Sequence, residues 1–153
     1  MQEVEKMPFL KELTEEEYDL LHPLFEPFTA PSGMVIFKQG DEAAYLYIIL
    51  NGRVAIEYKP YDGPKITLTH LHTGNIFGWS SVVGSRTYTS DAICTSMVET
   101  LRIRGADLKQ LYANHPTVCR SILDRLAEAV SPRWINSKHQ IQNLLQNNFS
   151  QYK

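Results

Sequence analysis

The 153-residue chain is poor in several things, and each shortage excludes something. It has two cysteines, Cys94 and Cys119, without metal-ligand spacing and without a secretory context. Such a pair builds neither a disulfide framework nor a cysteine zinc site, and both residues read as buried free thiols. No apolar run approaches the roughly 20 residues of a membrane-spanning helix. The acidic N-terminus, MQEVEKMPFL, lacks the apolar stretch of a signal peptide. A soluble, cytoplasmic protein with no membrane partner is therefore expected. An excess of one charge is also missing: 15 Lys and Arg stand against 17 Asp and Glu, for a net charge of −2 and a pI near 6.2. That balance argues against a nucleic-acid or membrane surface.

What charge there is lies unevenly. Residues 1–20 carry seven acids and two bases, whereas residues 131–153 carry three bases, no acid and eight Asn or Gln. The second segment suits a partner surface or a loosely held helix better than a core element. Hydrophobic residues make up 43% of the chain, enough for one core. The expected organisation is one domain over residues 1–130 with a helical tail over 131–153.

Leu10, Leu13, Tyr18, Leu21 and Phe25 recur at near-helical spacing behind Thr14-Glu-Glu-Glu17, a capping-box pattern. The spacing predicts a helix from about Glu15 to Leu24, weakened near its end by Pro23. From Phe28 the period shortens. Strands are predicted over Met34–Lys38, Ala44–Leu50, Arg53–Tyr58, Ile66–Leu71, Thr87–Ser96 and Met97–Ile103, with glycine turns between them. Asn51-Gly52 predicts a tight hairpin with positive φ at both residues. Short strands at this spacing argue for a sandwich or barrel. After Gly105 the pattern is helical again. Leu108, Leu111 and Tyr112 mark one helix. His115-Pro116 opens a second, striped by Val118, Ile122, Leu123, Leu126 and Val130. Pro132 interrupts it, and a last helix would carry Trp134, Ile141, Leu144, Leu145 and Phe149.

Three glycine landmarks, in order, carry a resemblance. They are Phe37-Lys-Gln-Gly40-Asp41, Tyr45-Leu-Tyr-Ile-Ile-Leu-Asn-Gly52-Arg-Val, and Leu71-His-Thr-Gly74-Asn-Ile-Phe-Gly78. Over about residues 8–130 the chain resembles the cyclic-nucleotide-binding domain, the sensor half of catabolite activator proteins and of cAMP-dependent kinase regulatory subunits. The resemblance implies a mainly β fold: an eight-stranded double-stranded β-helix (jelly roll) with one N-terminal helix and two or three C-terminal helices. It also implies that ligand binding reorients the helices after the roll. The family's activators continue into a helix-turn-helix reading head. Here 21 residues follow Pro132, too few and too weakly charged for one, so direct nucleic-acid binding is not expected.

The resemblance places a phosphate-binding cassette at Gly74 to Ala92. Gly78 lets the backbone come close to a ligand, and Trp79, Ser80 and Ser81 would offer first-turn amides to an anion. Ser80 and Ser81 equally suit a capped surface turn. In the family an acid follows the second glycine and accepts from the ribose; this chain has Trp79, whose indole can only donate. Trp79 could stack on a ring or fill the ribose space. In the family an arginine neutralises the cyclic phosphate. Anchoring on Val98–Ile103 puts Tyr88 there, followed by Thr89 and Ser90, with Arg86 two residues earlier and either solvated or reaching inward. The ligand-binding candidates are thus Gly78, Trp79, Ser80, Ser81, Arg86, Tyr88, Thr89 and Ser90. Losing the arginine's charge-assisted pair costs roughly 1.5–3 kcal/mol, so ordinary cAMP binding should be poor. A cyclic nucleotide or another small anion remains the candidate ligand, and no resident cofactor is called for.

His70-Leu-His72 raises a competing reading. Two histidines at i and i+2 share a strand face, as in the metal site of cupins, another barrel family. No Glu lies within residues 73–82, and His22, His115 and His139 fall elsewhere. Two ligands do not make a catalytic metal site, and no nucleophile or P-loop motif is present. The chain reads as a ligand-sensing or regulatory module, not an enzyme, with no metal. A ligand-free protein-interaction module and a cupin-like metalloenzyme are the alternatives. The tail, through Trp134, Ile141, Leu145 and Phe149, would pack on a second copy or partner, or fold back on the roll.

Overall fold

The computed structural model describes residues 12–83 and 86–129. The expected last helix and the dimer contact over residues 131–153 lie outside these residues. Leu10 lies outside them too.

The chain enters through α1 (Glu15–Leu21). Its capping box is complete: the Thr14 hydroxyl accepts from the Glu17 amide at 3.1 Å, and the Glu17 carboxylate accepts from the Thr14 amide at 2.9 Å. The helix stops earlier than the spacing predicts, and residues His22–Leu24 tighten into a 3₁₀ turn with Pro23 inside it. Proline has no amide to continue the α ladder, so the tighter turn is the chain's exit.

Eight strands follow in two four-stranded antiparallel sheets. One orders β1 (Glu26–Ala30), β8 (Val98–Arg104), β3 (Tyr45–Asn51) and β6 (Ile76–Phe77). The other orders β2 (Val35–Phe37), β7 (Asp91–Cys94), β4 (Val54–Tyr58) and β5 (Ile66–Leu71). A four-residue helix, α2 (Ser80–Val83), sits between β6 and β7. The chain closes with α3 (Gly105–Asn114) and α4 (Pro116–Ala129). The mainly β double-sheet roll with flanking helices is the architecture the sequence predicts.

Register shows how the interior is composed. In the first sheet Tyr47 lies opposite both Arg102 and Phe77, Glu26 opposite Arg102, and Phe28 opposite Thr100. Opposed residues share a face, and this face meets Phe37 and Tyr88 from the side of the second sheet. Leu46, Ile48, Leu101 and Ile103 take the alternate positions and are also fully buried, so β3 and β8 are covered on both sides. The helices supply part of that cover, with α3 against β8 and α2 against β3.

Two local expectations change. Asn51-Gly52 turns the chain but closes no hairpin: β3 and β4 do not pair, since the turn carries the chain from one sheet to the other, and only Gly52 has positive φ, at 111°. That glycine is required by crowding as well: a Cβ there would lie 2.4 Å from the Met97 carbonyl oxygen. The Met97–Val98 backbone at the entry to β8 thus helps to set the turn, through a close approach that no dipeptide signal encodes. The strand expected over Thr87–Ser96 is shorter, with β7 limited to Asp91–Cys94. Thr87 makes a single bridge to Glu42, and Tyr88 is held by turn hydrogen bonds to Asp41 and Gly40 instead of a ladder. Both cysteines are free and buried, as expected.

Candidate ligand-binding cassette

The cassette begins where the loop after β5 is clipped to β3. The Gly74 amide donates to the Ile49 carbonyl at 2.8 Å, and the Ile49 amide donates to the Asn75 carbonyl at 3.0 Å. The Asn75 side chain accepts from the His72 amide at 2.9 Å and shapes the turn. Ile76 and Phe77 then pair with Ile48 and Tyr47, which delivers Gly78 to the start of β3.

Gly78 has φ 82°, and a Cβ there would sit 2.6 Å from the Tyr45 carbonyl oxygen and 3.3 Å from the Tyr47 ring. Its close approach is therefore to the protein's own backbone. Ser81 turns inward: its hydroxyl and amide both donate to the Gly78 carbonyl, at 2.9 and 3.2 Å, and the Val82 amide donates to Trp79. Among the described residues the amides of Trp79 and Ser80 have no backbone partner outside the helix. Ser80 and Ser81 are both buried, and Trp79 is half-buried against the core. The helix is pinned at its far side too, because a Cβ on Gly105 would lie 2.5 Å from the Ser81 carbonyl oxygen, while the Gly105 amide donates to Ala44. Cassette, start of β3 and start of α3 form one backbone-to-backbone junction.

Tyr88 locks into that junction. Its ring stacks on Phe37 with centroids 3.6 Å apart and planes within 11°. Its hydroxyl accepts from the Tyr45 amide at 2.9 Å and donates to the Tyr45 carbonyl. One phenol thus satisfies both main-chain groups of the residue that Gly78 packs against. Tyr88 is 4% exposed, and burial holds its phenol well above the ordinary value, so it stays protonated and able to donate. A second stacked pair, Tyr47 on Phe77 at 4.9 Å, continues the aromatic layer.

The other predicted residues scatter around this lock. Arg86 is exposed. Ser90 is buried at the mouth of β7. Thr89 is half-buried, and its hydroxyl is the one hydroxyl among the described residues that is buried without a partner. His70 and His72 are both exposed, and among the described residues no three His, Cys, Asp or Glu side chains group as metal ligands.

One interior cation escapes the sequence reading. The Arg102 guanidinium lies between the Phe28 and Tyr45 rings, 4.5 and 4.1 Å from their centroids, and bonds the Glu26 carboxylate at 2.7 Å. Glu26 is held below its ordinary value by that hydrogen bond and by the charge behind it. The Arg102 Nε is buried with no partner. No local signal finds it: the apolar alternate positions of β8 are Leu101 and Ile103, and only register with β1 and β3 sets Arg102 opposite Glu26 and Tyr47.

With this geometry in view, relatives place the chain. A family model for the cyclic nucleotide-binding domain matches residues 27–115. The chain is 30% identical over 134 residues to a protein of Rhodopseudomonas palustris named as a candidate potassium channel, covering 87% of this chain and 32% of that one. It is 29% identical over 120 residues to the cyclic AMP receptor protein of Thermus thermophilus, covering 78% of this chain and 56% of that one. Among solved structures, the Thermus thermophilus catabolite activator protein superposes with a TM-score of 0.69 at 27% identity, over 91% of this chain and 63% of that one. A cyclic nucleotide-binding domain from Methylobacillus flagellatus shares the fold with a TM-score of 0.74 at 22% identity, over 93% of this chain and 80% of that one. The chain spans from 32% to 56% of the length of the first three curated relatives it matches. Among the described residues no helix is long and apolar enough to cross a membrane. The family match extends over more than half of the chain and over both sheets of the roll, and on that ground the protein belongs to the cyclic nucleotide-binding domain family.

Proposed function

We propose that this protein is a regulatory, ligand-sensing module of that family whose cassette does not hold cAMP in the usual way. The observation that carries the reading is Tyr88. Its ring occupies the inner side of the cassette against Phe37, and its hydroxyl is spent on the Tyr45 main chain. A nucleotide seated there would have to displace a buried ring and leave two main-chain groups without their partner, a cost of roughly 1–3 kcal/mol for each unsatisfied group. Trp79 in place of an acid removes the acceptor for a ribose hydroxyl. Arg86 is exposed, and Arg102 is engaged by Glu26 and two rings. What remains for a ligand is small: the amides of Trp79 and Ser80 and the partnerless hydroxyl of Thr89. That set suits a compact anion better than a ribose cyclic phosphate.

Calorimetric titration of the full chain with cAMP, and separately with inorganic phosphate, tests this. The expected result is no saturable binding of cAMP up to about 1 mM, where binding energy falls to about −4 kcal/mol. Micromolar cAMP affinity would overturn the reading. The same outcome in a Tyr88→Phe protein would show which half of the tyrosine matters, because that variant keeps the ring and frees the Tyr45 groups. Regulation would pass through α3, which is packed on the cassette at Gly105 and Ser81. It requires a ligand whose affinity differs between two positions of that helix.

A further inference from the structure

The turn after β2, the β4–β5 hairpin and the head of β7 border an open cleft of about 480 Å³ on the flank of the second sheet. Its volume lies within the range of small-molecule sites. Three lysines line it: Lys38 from the turn, and Lys59 and Lys65 from the two arms of the hairpin. The one acid in the lining is Asp91, and both of its oxygens are taken. One accepts from the Gln39 amide at 2.6 Å and the other pairs with the Lys65 ammonium at 2.8 Å. Glu57 stands 3.9 Å from Lys65 and shares that charge. Among the described residues neither Lys38 nor Lys59 has a carboxylate within ion-pair distance.

The frame around these charges is set in advance. The Gln39 side chain donates to the Lys59 carbonyl at 2.9 Å and accepts from the Lys59 amide at 2.8 Å. This two-point clasp ties the turn to the hairpin as a strand partner would. It fixes the separation of the backbones that carry Lys38 and Lys59. At the hairpin tip Tyr61 is 95% exposed, and Val35 is exposed on the facing wall. An aromatic of that size is ordinarily half covered.

We infer that this cleft binds a free small organic phosphate, the phosphate between Lys38 and Lys59 and a planar group against Tyr61. Two unpaired ammonium groups on a rigid frame supply the anion's electrostatic complement, and the exposed ring supplies a stacking face. The inference does not depend on what the cassette holds.

Amide chemical-shift titration of the full chain tests it, with phenyl phosphate and inorganic phosphate as probes at matched ionic strength. Saturable shifts are expected at Lys38, Gln39 and residues 59–65, with tighter binding of phenyl phosphate than of phosphate. The double variant Lys38→Glu, Lys59→Glu should lose at least about tenfold in affinity, or about 1.4 kcal/mol. Tyr61→Ala should erase the preference for phenyl phosphate while retaining phosphate binding. All three side chains are exposed, and unchanged spectra away from the cleft would show that the variants fold. Absence of saturable shifts up to about 10 mM, in the weak-binding limit, would overturn the inference. So would equal shifts with sodium sulfate, unchanged affinity in the double variant, or tighter binding to phosphatidate vesicles than to phenyl phosphate, which would mark a lipid surface.

Discussion

The same two segments, Gln39–Asp41 and Tyr88–Asp91, build two regions of opposite character. They are joined by the Gly40 amide donating to Tyr88 and the Tyr88 amide donating to Asp41. On the inner side Tyr88 meets Phe37, and every strong hydrogen-bonding group of the phenol is satisfied within the protein. On the outer side Asp91 meets Gln39 and Lys65, with two further lysines unpaired beside it. The inner region has the family's landmarks and little free chemistry. The outer region takes only Lys38 and Gln39 from a landmark, and it has free charge. A motif therefore reports where the backbone goes, while the side chains at alternate positions decide what the site can hold.

The largest effect that should break this contrast is at the junction. Gly78→Ala forces a Cβ to 2.6 Å from the Tyr45 carbonyl at a φ of 82°. A loss of about 3–5 kcal/mol of stability is expected, since strain and a main-chain clash act together. Urea unfolding measures it, and the Gly78→Ala protein should also lose the protection of the Tyr45 amide from hydrogen exchange. A cost below about 1 kcal/mol, typical of an uncrowded site, would show that the cassette can move away from β3.

Tyr88→Phe is next, because it keeps the stack on Phe37 and strands the Tyr45 amide and carbonyl. A loss of about 2–3 kcal/mol is expected by the same measurement, the low end of the cost for two stranded groups. A neutral result would mean that water reaches Tyr45, and the inner region would then be open to ligands.

Acid should act on the outer region, on α1 and on the Glu26–Arg102 pair beside the Phe28 and Tyr45 rings, and leave the Tyr88–Phe37 stack alone. Burial by itself would raise Asp91, but the Gln39 amide and Lys65 outweigh it and hold the group below its ordinary value of 3.8. Burial by itself would raise Glu17 too, but hydrogen bonds to its carboxylate from Thr14 and Ser121, and the charge of Arg125, hold it below 4.5. A lowered folded pKa contributes stability that is fully present above the ordinary value and is lost as pH falls through the lower folded one. Stability should thus be flat from neutral pH down to about 5 and then decline. Asp91→Asn and Glu17→Gln should each flatten that decline while lowering stability at pH 7. An unchanged acid limb in both variants would place the sensitivity elsewhere.

Arg86→Ala should do least. The side chain is exposed, so stability should stay within about 0.5 kcal/mol. If cAMP or phosphate binding is measurable and this change abolishes it, the inner region is charged from Arg86 after all, and the contrast between the two regions fails.

Much of the fold was legible because local rules agree with it. Thr14 and Glu17 form a capping box wherever they stand, and Pro116 fits a helix start because its missing amide is not needed there. The Asn51-Gly52 turn was legible as a turn, but the hairpin expected there is absent: β3 and β4 join different sheets, and the backbone at Met97, just before β8, crowds Gly52. Within the cassette, Trp79 and Tyr88 could be seen to be unlike the family's acid and arginine. Whether the Tyr88 ring points in or out could not be seen, because that depends on Phe37 and Tyr45, 51 and 43 residues away in sequence. Arg102 was hidden for a similar reason: only strand register brings it between Phe28 and Tyr45.

The sequence by itself determined the order of elements, the glycine turns and the kinship, because these rest on short-range spacing and backbone preference. The tertiary structure alone decided that Gly78 packs on Tyr45, that Tyr88 seals the inner face, and that Lys38 and Lys59 share a cleft. Those outcomes are set by which distant backbones come within van der Waals and hydrogen-bond reach, and that is a property of sheet register and not of any local run of residues.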